Sequence, residues 1–157
     1  MLFRSVEDRE YDRSEAGLLH QLHDSDTSMR RWAARDLAAF ADSAKALSER
    51  LTAEPDASVR EVIFTTLTRI GGGEVVQLVL PLLRSEDASL RNGAIELLSS
   101  LPDAVAPQLE VLLHDIDVDV RIFTVNLLAD LQHKEVQRWL TQVLESDPHR
   151  SEEHTSE

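Results

Sequence analysis

Three aspartates in the C-terminal third of the chain stand at every second position, as at the start of some calcium-binding loops. Asp115, Asp117 and Asp119 alternate with aliphatic residues, as at the start of an EF-hand loop. Such a loop needs glycine at its sixth position and glutamate at its twelfth, where this sequence has Val120 and Asn126. The calcium interpretation is therefore rejected, and the three aspartates are assigned to turns and helix caps.

A second candidate for metal binding combines two histidines with an aspartate. His20 and His23 are three residues apart, which on a helix places both imidazoles close to one face, beside Asp24. Such groups can hold a metal, but the sequence contains no second cluster of this kind. We therefore predict neither a metal site nor a cofactor. No cysteine is present and no serine, histidine and acid follow a triad signature, so no catalytic residue is assigned.

A five-residue signature, Asp-x-x-Φ-Arg with Φ aliphatic or methionine, returns along the chain. It reads DTSMR at 26–30, DASVR at 56–60, DASLR at 87–91 and DVDVR at 117–121. Successive arginines are 30 or 31 residues apart. A fixed period in this range indicates stacked supersecondary units.

Each signature is predicted to open a helix. Apolar or small residues recur one residue before the arginine and three, seven and ten residues after it, which traces one stripe on an α-helix. Gly71 and Pro102 mark helix ends, and a second helix follows before the next aspartate. Ser58 and Glu61 have the spacing of a capping box. The predicted N-cap residues lie two positions before each arginine: Ser28, Ser58, Ser89 and Asp119.

The repeat predicts an all-α fold, an α-α superhelix of about four and a half helix-pair repeats. We place the repeats near 26–55, 56–86, 87–116 and 117–146, preceded by a lone helix near 14–23. The core should be aliphatic, because 42% of the residues are hydrophobic and only 4% are aromatic.

The two ends of the chain differ in character from the repeats. MLFRS at 1–5 and RSEEHTSE at 150–157 resemble translated sequencing-adapter DNA, and the codons proposed for the two ends are reverse complements. We therefore expect 6–149 to be the native repeat domain, as a fragment of a longer array. A fifth signature is due from Asp147, but Ser151 stands where its arginine is expected.

The pattern over 14–149 resembles HEAT repeats, and among them the short type known as phycobilisome-lyase-like HEAT repeats. The resemblance implies ladders between neighbouring repeats, in which carboxylate and guanidinium groups bind loop N–H and C=O groups. The implied role is structural rather than catalytic. The ladder residues would be Asp26, Arg30, Asp56, Arg60, Asp87, Arg91, Asp117 and Arg121.

The formal net charge of −13 argues against nucleic acid and anionic membranes as partners. Solenoids present an extended concave surface, usually formed by the second helices, to a protein partner. We therefore predict a non-catalytic, cytoplasmic interaction scaffold for an unidentified protein partner. The alternative that the resemblance permits is a subunit of a chromophore (bilin) lyase or a similar accessory enzyme. Trp32 either binds a partner or covers a missing preceding repeat. The other candidate surface residues are His20, Gln77, Glu110 and Gln137.

Overall fold

The computed structural model describes residues 11–146, without the side chains of residues 133, 135, 136, 139 and 146. The predicted foreign ends at 1–5 and 150–157 lie outside the described residues, as does the signature due from Asp147. The fold is an all-α solenoid, with no strand among the described residues. The chain divides after Pro107 into two compact units.

The first unit contains α1 to α7 and the second contains α8 and α9. Short 3-10 segments at Leu37–Ala39, Ala41–Ser43, Leu80–Arg84 and Ala106–Gln108 connect or extend the helices. The helices are α1 (Glu15–Gln21), α2 (Thr27–Asp36), α3 (Ala44–Ala53), α4 (Ala57–Ile70), α5 (Gly72–Val79), α6 (Ala88–Ser100), α7 (Pro102–Val105), α8 (Leu109–Leu113) and α9 (Val118–Ser146).

Helix pairs stack in chain order within the first unit. The helices that open with a signature form one row, with α2 against α4 and α4 against α6. The second helices form another row, with α3 against α5 and α5 against α7. A buried hydrogen bond from Thr66 Oγ1 to the carbonyl of Ala34, 2.8 Å long, joins α4 to α2. Each pair thus buries its apolar stripe against its neighbours.

The predicted stripe forms the core near each signature. Leu37, Leu67 and Leu98, seven residues after their arginines, are all fully buried. The residues ten positions after the arginine, such as Phe40 and Leu101, are only half-buried. Phe40 and Leu101 follow the ends of α2 and α6, whereas Ile70, which is also half-buried, is the last residue of α4.

Helix ends in the first unit follow glycine and proline. Gly71 ends α4 with a φ of 63°, a conformation that is easily reached only without a Cβ. Pro102 occupies the first turn of α7, where a missing N–H leaves no bond unmade. Pro81 lies where α5 passes into a 3-10 segment, because proline has no N–H for the i→i−4 bond.

The second unit differs from the predicted helix pair. We expected two helices within 117–146, but α9 is one continuous helix of 29 residues. The nine residues from 129 to 137 contain neither glycine nor proline. No residue in this stretch therefore forces a turn like those at Gly71 and Pro102. Within this unit α8 packs against α9.

Candidate functional site

Signature aspartates cap the helices that follow them. Asp56 Oδ1 accepts hydrogen bonds from the N–H groups of Ser58 at 2.8 Å and Val59 at 3.2 Å, and the Ser58 hydroxyl also donates to it. Asp87 accepts from the second and third residues of α6 at 2.9 and 3.3 Å. The hydrogen bond from Ser58 lowers the pKa of Asp56, and the N–H of Leu90 lowers the pKa of Asp87.

The predicted N-caps were therefore placed two residues too late, and the proposed capping box is wrong. The structure assigns the N-cap to Asp26, Asp56 and Asp87. Asp117 makes the equivalent bond, accepting from the N–H of the residue two positions on at 2.8 Å. A carboxylate is the stronger acceptor and its charge is favoured at a helix N-terminus. The misassigned residues are Ser28, Ser58, Ser89 and Asp119, all within the first turn of their helices.

A buried ion cluster lies at the junction of the first two repeats. Arg30 donates to the Glu54 carboxylate from Nε and from Nη2, each at 2.9 Å. Arg50 donates to the same carboxylate from Nε at 3.0 Å and from Nη2 at 2.8 Å. The Glu54 side chain has no solvent exposure and that of Arg30 is 8% exposed.

Burial and hydrogen bonding act in opposite directions on this cluster. Burial alone would raise the pKa of Glu54, but hydrogen bonds from Arg30 and Arg50 outweigh it and hold the pKa below its ordinary value. The hydrogen bond to Glu54 likewise raises the pKa of Arg30. The cluster therefore stays ionised at neutral pH and joins α2 to the end of α3.

Three signature arginines also bind the loop that precedes their own helix. Arg30 Nη1 donates to the carbonyls of Asp24 at 2.8 Å and Ser25 at 3.1 Å. Arg91 Nη1 donates to the Ser85 carbonyl at 2.8 Å. Arg121 Nη1 binds the equivalent loop in the second unit, at 2.6 and 3.2 Å from two successive carbonyls.

Arg60 differs from the other signature arginines. Its Nη1 donates to Asp87 Oδ2 at 3.1 Å, which joins one signature to the next. Among the side-chain hydrogen bonds of the described residues, this is the one that joins a signature arginine directly to a signature aspartate. The Nε of Arg60 is buried and has no described acceptor.

A recurring oxygen acceptor two residues before each signature aspartate was missed in the sequence. Its side chain accepts a hydrogen bond from the N–H of that aspartate, at distances between 2.7 and 3.2 Å. The signal was present, because every repeat has an oxygen-bearing side chain there. The four residues are Asp24, Glu54, Ser85 and Asp115.

A groove of about 660 Å³ lies between α4 and α6 in the first unit. Phe64 of α4 lies against Gly93 of α6, where an added Cβ would stand 2.2 Å from Cε2 of the ring. Glycine at this position therefore allows the aromatic ring to lie directly against the neighbouring helix. Leu97, which is buried, adds a second apolar contribution to the lining.

The rim of this groove carries charges of both signs. Arg60, Glu61 and Arg69 lie along α4, and Glu96 lies on α6. No side-chain partner is described for Arg69, which is exposed. The polar remainder of the rim consists of Thr65, Thr68, Ser89, Asn92 and Ser100. The groove thus combines an aromatic surface with hydrogen-bonding groups, a composition that suits a binding site.

The candidate surface residues of the sequence analysis lie outside this groove. His20, Gln77, Glu110 and Gln137 are exposed on α1, α5, α8 and α9, respectively. The imidazole of His20 lies edge-to-face with the ring of Tyr11, at 5.2 Å between centroids. Trp32 is 49% exposed on α2. A role in partner binding remains a prediction for all five.

The possible histidine metal site has other contacts. Arg50 Nη1 lies 3.4 Å from Nδ1 of His23, and the Tyr11 hydroxyl donates to Asp24 at 2.7 Å. Across residues 11–146, apart from the five undescribed side chains, no group of three histidines or carboxylates is placed to hold a metal ion. Among the helices that the structure describes, none combines the length and apolar character needed to cross a membrane.

Two engineered proteins solved by the Northeast Structural Genomics Consortium are similar to the chain. One is 21% identical with a TM-score of 0.43, and the match covers 73% of this chain and 61% of the engineered protein. The other is 22% identical with a TM-score of 0.42, and the match covers 75% of this chain and 37% of the engineered protein. This chain thus spans less than two thirds of either structure.

No curated protein matches the sequence. The findings do not favour the chromophore-lyase alternative. A family model described as HEAT repeats matches residues 15–99 and 44–115, which together make up more than half of the chain. On this match the chain belongs to the HEAT-repeat family.

Proposed function

We propose that this chain is a non-catalytic scaffold that binds a segment of another protein in the groove between α4 and α6. The observation that carries the proposal is the aromatic surface of Phe64 within a groove of about 660 Å³. This volume lies in the range of roughly 300–1,000 Å³ that is typical of ligand sites. Repeat folds commonly bind other proteins through such extended surfaces.

The lining indicates the chemistry of the partner. An apolar side chain of the partner would cover Phe64, while polar groups on either side would bind the rim. Arg69 suits a carboxylate, whereas Glu61 and Glu96 suit a basic side chain. A segment carrying charges of both signs around an apolar anchor fits this arrangement better than a nucleic acid, which the net charge of −13 would repel.

Helix stacking explains why the groove is suited to this role. The signature of the third repeat fixes α6 against α4 through the bond from Arg60 to Asp87. The structural ladder would therefore hold the two walls of the groove in place while the rim residues make the contacts. The signature residues themselves need no catalytic role in this scheme.

The proposal can be tested with peptides that are selected from a displayed library for binding to the wild-type chain. Thr65→Trp would fill the groove, because Thr65 is an exposed lining residue. Thr52→Trp is the matched control, because it introduces the same side chain at an exposed position on α3 that does not line the groove.

We expect Thr65→Trp to weaken the selected peptides by at least about tenfold, equivalent to about 1.4 kcal/mol, and Thr52→Trp to leave the affinity unchanged within about twofold. Calorimetric titration of both variants would measure the difference. Equal affinities for the two variants, or weakening by Thr52→Trp alone, would place the partner surface elsewhere and overturn the proposal.

A further inference from the structure

The guanidinium group of Arg60 is held differently from those of the other three signature arginines. Each of the others donates from Nη1 to the carbonyl of the residue six positions before it, at 2.6–2.8 Å. For Arg60 that residue is Glu54, but Nη1 donates to Asp87 of the next repeat instead. Arg60 also lines the groove between α4 and α6, whereas the other signature arginines do not. Its side chain therefore belongs to the groove rather than to its own loop.

One edge of the Arg60 guanidinium has no acceptor among the described residues. Nη1 binds Asp87, whereas Nε is buried without a partner and Nη2 makes no described hydrogen bond. Nε–H and Nη2–H point the same way and together match the two oxygens of a carboxylate. The chain uses this edge elsewhere, because Arg30 and Arg50 both bind Glu54 through Nε and Nη2. A buried donor left unpaired is unfavourable, so Arg60 gains from an acceptor at this edge.

We propose that this edge of Arg60 binds a carboxylate of the segment in the groove, so that the partner carries an aspartate or glutamate close to its apolar anchor. The inference rests on the proposed function, because it needs a segment in the groove. Phe64 follows Arg60 by about one helical turn, or about 6 Å along α4, and both line the groove. This spacing fits an acid two residues from the anchor in an extended segment, or three to four residues from it in a helix.

The other charges around Arg60 decide between it and Arg69. Asp87 lies at 3.1 Å from Nη1, and Glu61 is exposed on the same helix. Both repel a further carboxylate, but no described hydrogen bond joins either of them to the edge formed by Nε and Nη2. The Arg60 side chain is only 16% exposed, so water and salt screen its charge less than that of the exposed Arg69. Arg60 is therefore the stronger carboxylate-binding residue of the groove.

Peptides selected from a displayed library for binding to the wild-type chain supply the probe. We expect them to carry an aspartate or glutamate at this spacing from an apolar residue. Changing that acid to its amide should weaken binding to the wild type by about tenfold or more, and Arg60→Gln should weaken the acidic peptide by as much. Arg60→Gln should bind the acid and amide forms within about twofold of each other.

Lys45→Gln is the matched control for the change in charge. It also removes one positive charge, but Lys45 is exposed on α3 and does not line the groove. The control should prefer the acidic peptide over its amide by the same factor as the wild type, within about twofold. Loss of this preference in Lys45→Gln as well as in Arg60→Gln would assign it to the overall charge of the chain and overturn the inference.

Two further variants separate binding by Arg60 from its tie to Asp87. Arg60→Lys keeps a charge that can pair with Asp87 but lacks the planar pair of N–H groups, so its preference for the acid should fall by at least about threefold. Asp87→Asn keeps a good N-cap and removes a competing carboxylate, so it should bind the acidic peptide at least as tightly as the wild type. Circular dichroism checks that each variant keeps its helices. If Asp87→Asn weakens the acidic peptide as much as Arg60→Gln does, Arg60 acts only by joining the helices and the inference is overturned.

Thr65→Trp distinguishes failure of this inference from failure of the proposed function. If Thr65→Trp weakens binding but Arg60→Gln prefers the acid as strongly as the wild type does, the inference is overturned and the groove stays the binding site. Selected peptides that bind in the groove without an acid near an apolar residue overturn it in the same way. If Thr65→Trp leaves the affinity unchanged, the partner lies outside the groove and both proposals fail.

Discussion

Replacing Glu54 by glutamine should be among the most damaging conservative changes in the first unit. The carboxylate accepts from four side-chain N–H groups, Nε and Nη2 of Arg30 and of Arg50, at 2.8–3.0 Å, and from the backbone N–H of Asp56 at 3.2 Å. Glutamine has nearly the same shape, but it removes the charge and turns one acceptor into an amide donor facing the guanidinium groups. The two arginines then share one neutral oxygen.

Burial determines the magnitude of this loss. Arg30 is 8% exposed and cannot turn into solvent without leaving the core, whereas Arg50 is 16% exposed and can rotate outwards more easily. Removing one partner of a buried ion pair typically costs about 3–5 kcal/mol. Because Arg50 can recover some hydration, we expect the unfolding free energy to fall by about 3 kcal/mol and the melting temperature by roughly 10 °C.

Urea unfolding followed by circular dichroism measures this loss. Glu49→Gln is the matched control, because Glu49 is exposed on α3, which ends just before Glu54, and has no described side-chain partner. We expect the control to lie within about 0.5 kcal/mol of the wild type. A loss below about 1 kcal/mol for Glu54→Gln would refute the reasoning, since that is the cost of an ordinary surface pair.

Three further predictions concern the same unit. The pKa of Glu54 is lower in the folded state than its unfolded value of about 4.3. The wild type's higher unfolding free energy relative to Glu54→Gln should therefore be complete above about pH 5 and be lost as the pH falls through the folded pKa. Urea unfolding at several pH values across this range measures the difference. Asp87→Ala should cost about 1 kcal/mol in unfolding free energy, and Ser89→Ala close to zero, because the aspartate is the N-cap; equal losses would restore serine as the cap. Gly93→Ala should lower the unfolding free energy by about 1–3 kcal/mol, because the added methyl would contact the phenyl ring of Phe64. Gly73→Ala, which has open space around its Cβ, should be neutral or stabilising by up to about 1 kcal/mol. A Gly93→Ala chain as stable as the wild type would contradict the packing.

The repeat period was enough to predict the solenoid, because every helix pair has an apolar stripe that must be buried against a neighbouring pair. The leucines seven residues after the first three arginines, Leu37, Leu67 and Leu98, are buried, whereas the fourth, Leu128, is half-buried. Glycine and proline marked the helix ends correctly at Gly71 and Pro102, since both act through local backbone geometry.

The position of the caps was harder to predict, because aspartate and serine both suit a helix N-terminus. In DASVR the two candidates, Asp56 and Ser58, are only two residues apart, and the structure is needed to show which begins the helix. The break expected within 117–146 rested on the repeat period alone. The structure has continuous helix there, and the sequence contains no glycine or proline to interrupt it.

The groove and the ion cluster were not visible in the sequence for a different reason. The groove joins residues of different repeats, as in the contact of Phe64 with Gly93. The ion cluster joins residues 24 positions apart within one repeat, Arg30 and Glu54. A repeat signature identifies which residues recur, but these contacts depend on residues that differ between repeats. Glutamate replaces the aspartate or serine of the other repeats at position 54, and glycine occurs at position 93 alone among its counterparts.

An NMR titration of the labelled chain with a selected peptide tests the central claim most directly. The proposed function predicts that the largest amide shifts fall on the groove, at Thr65 and Thr68 of α4 and at Asn92 and Glu96 of α6. Shifts confined to the second helices, around His20 and Gln77, would contradict it and would place the partner on the surface that the sequence pattern first suggested.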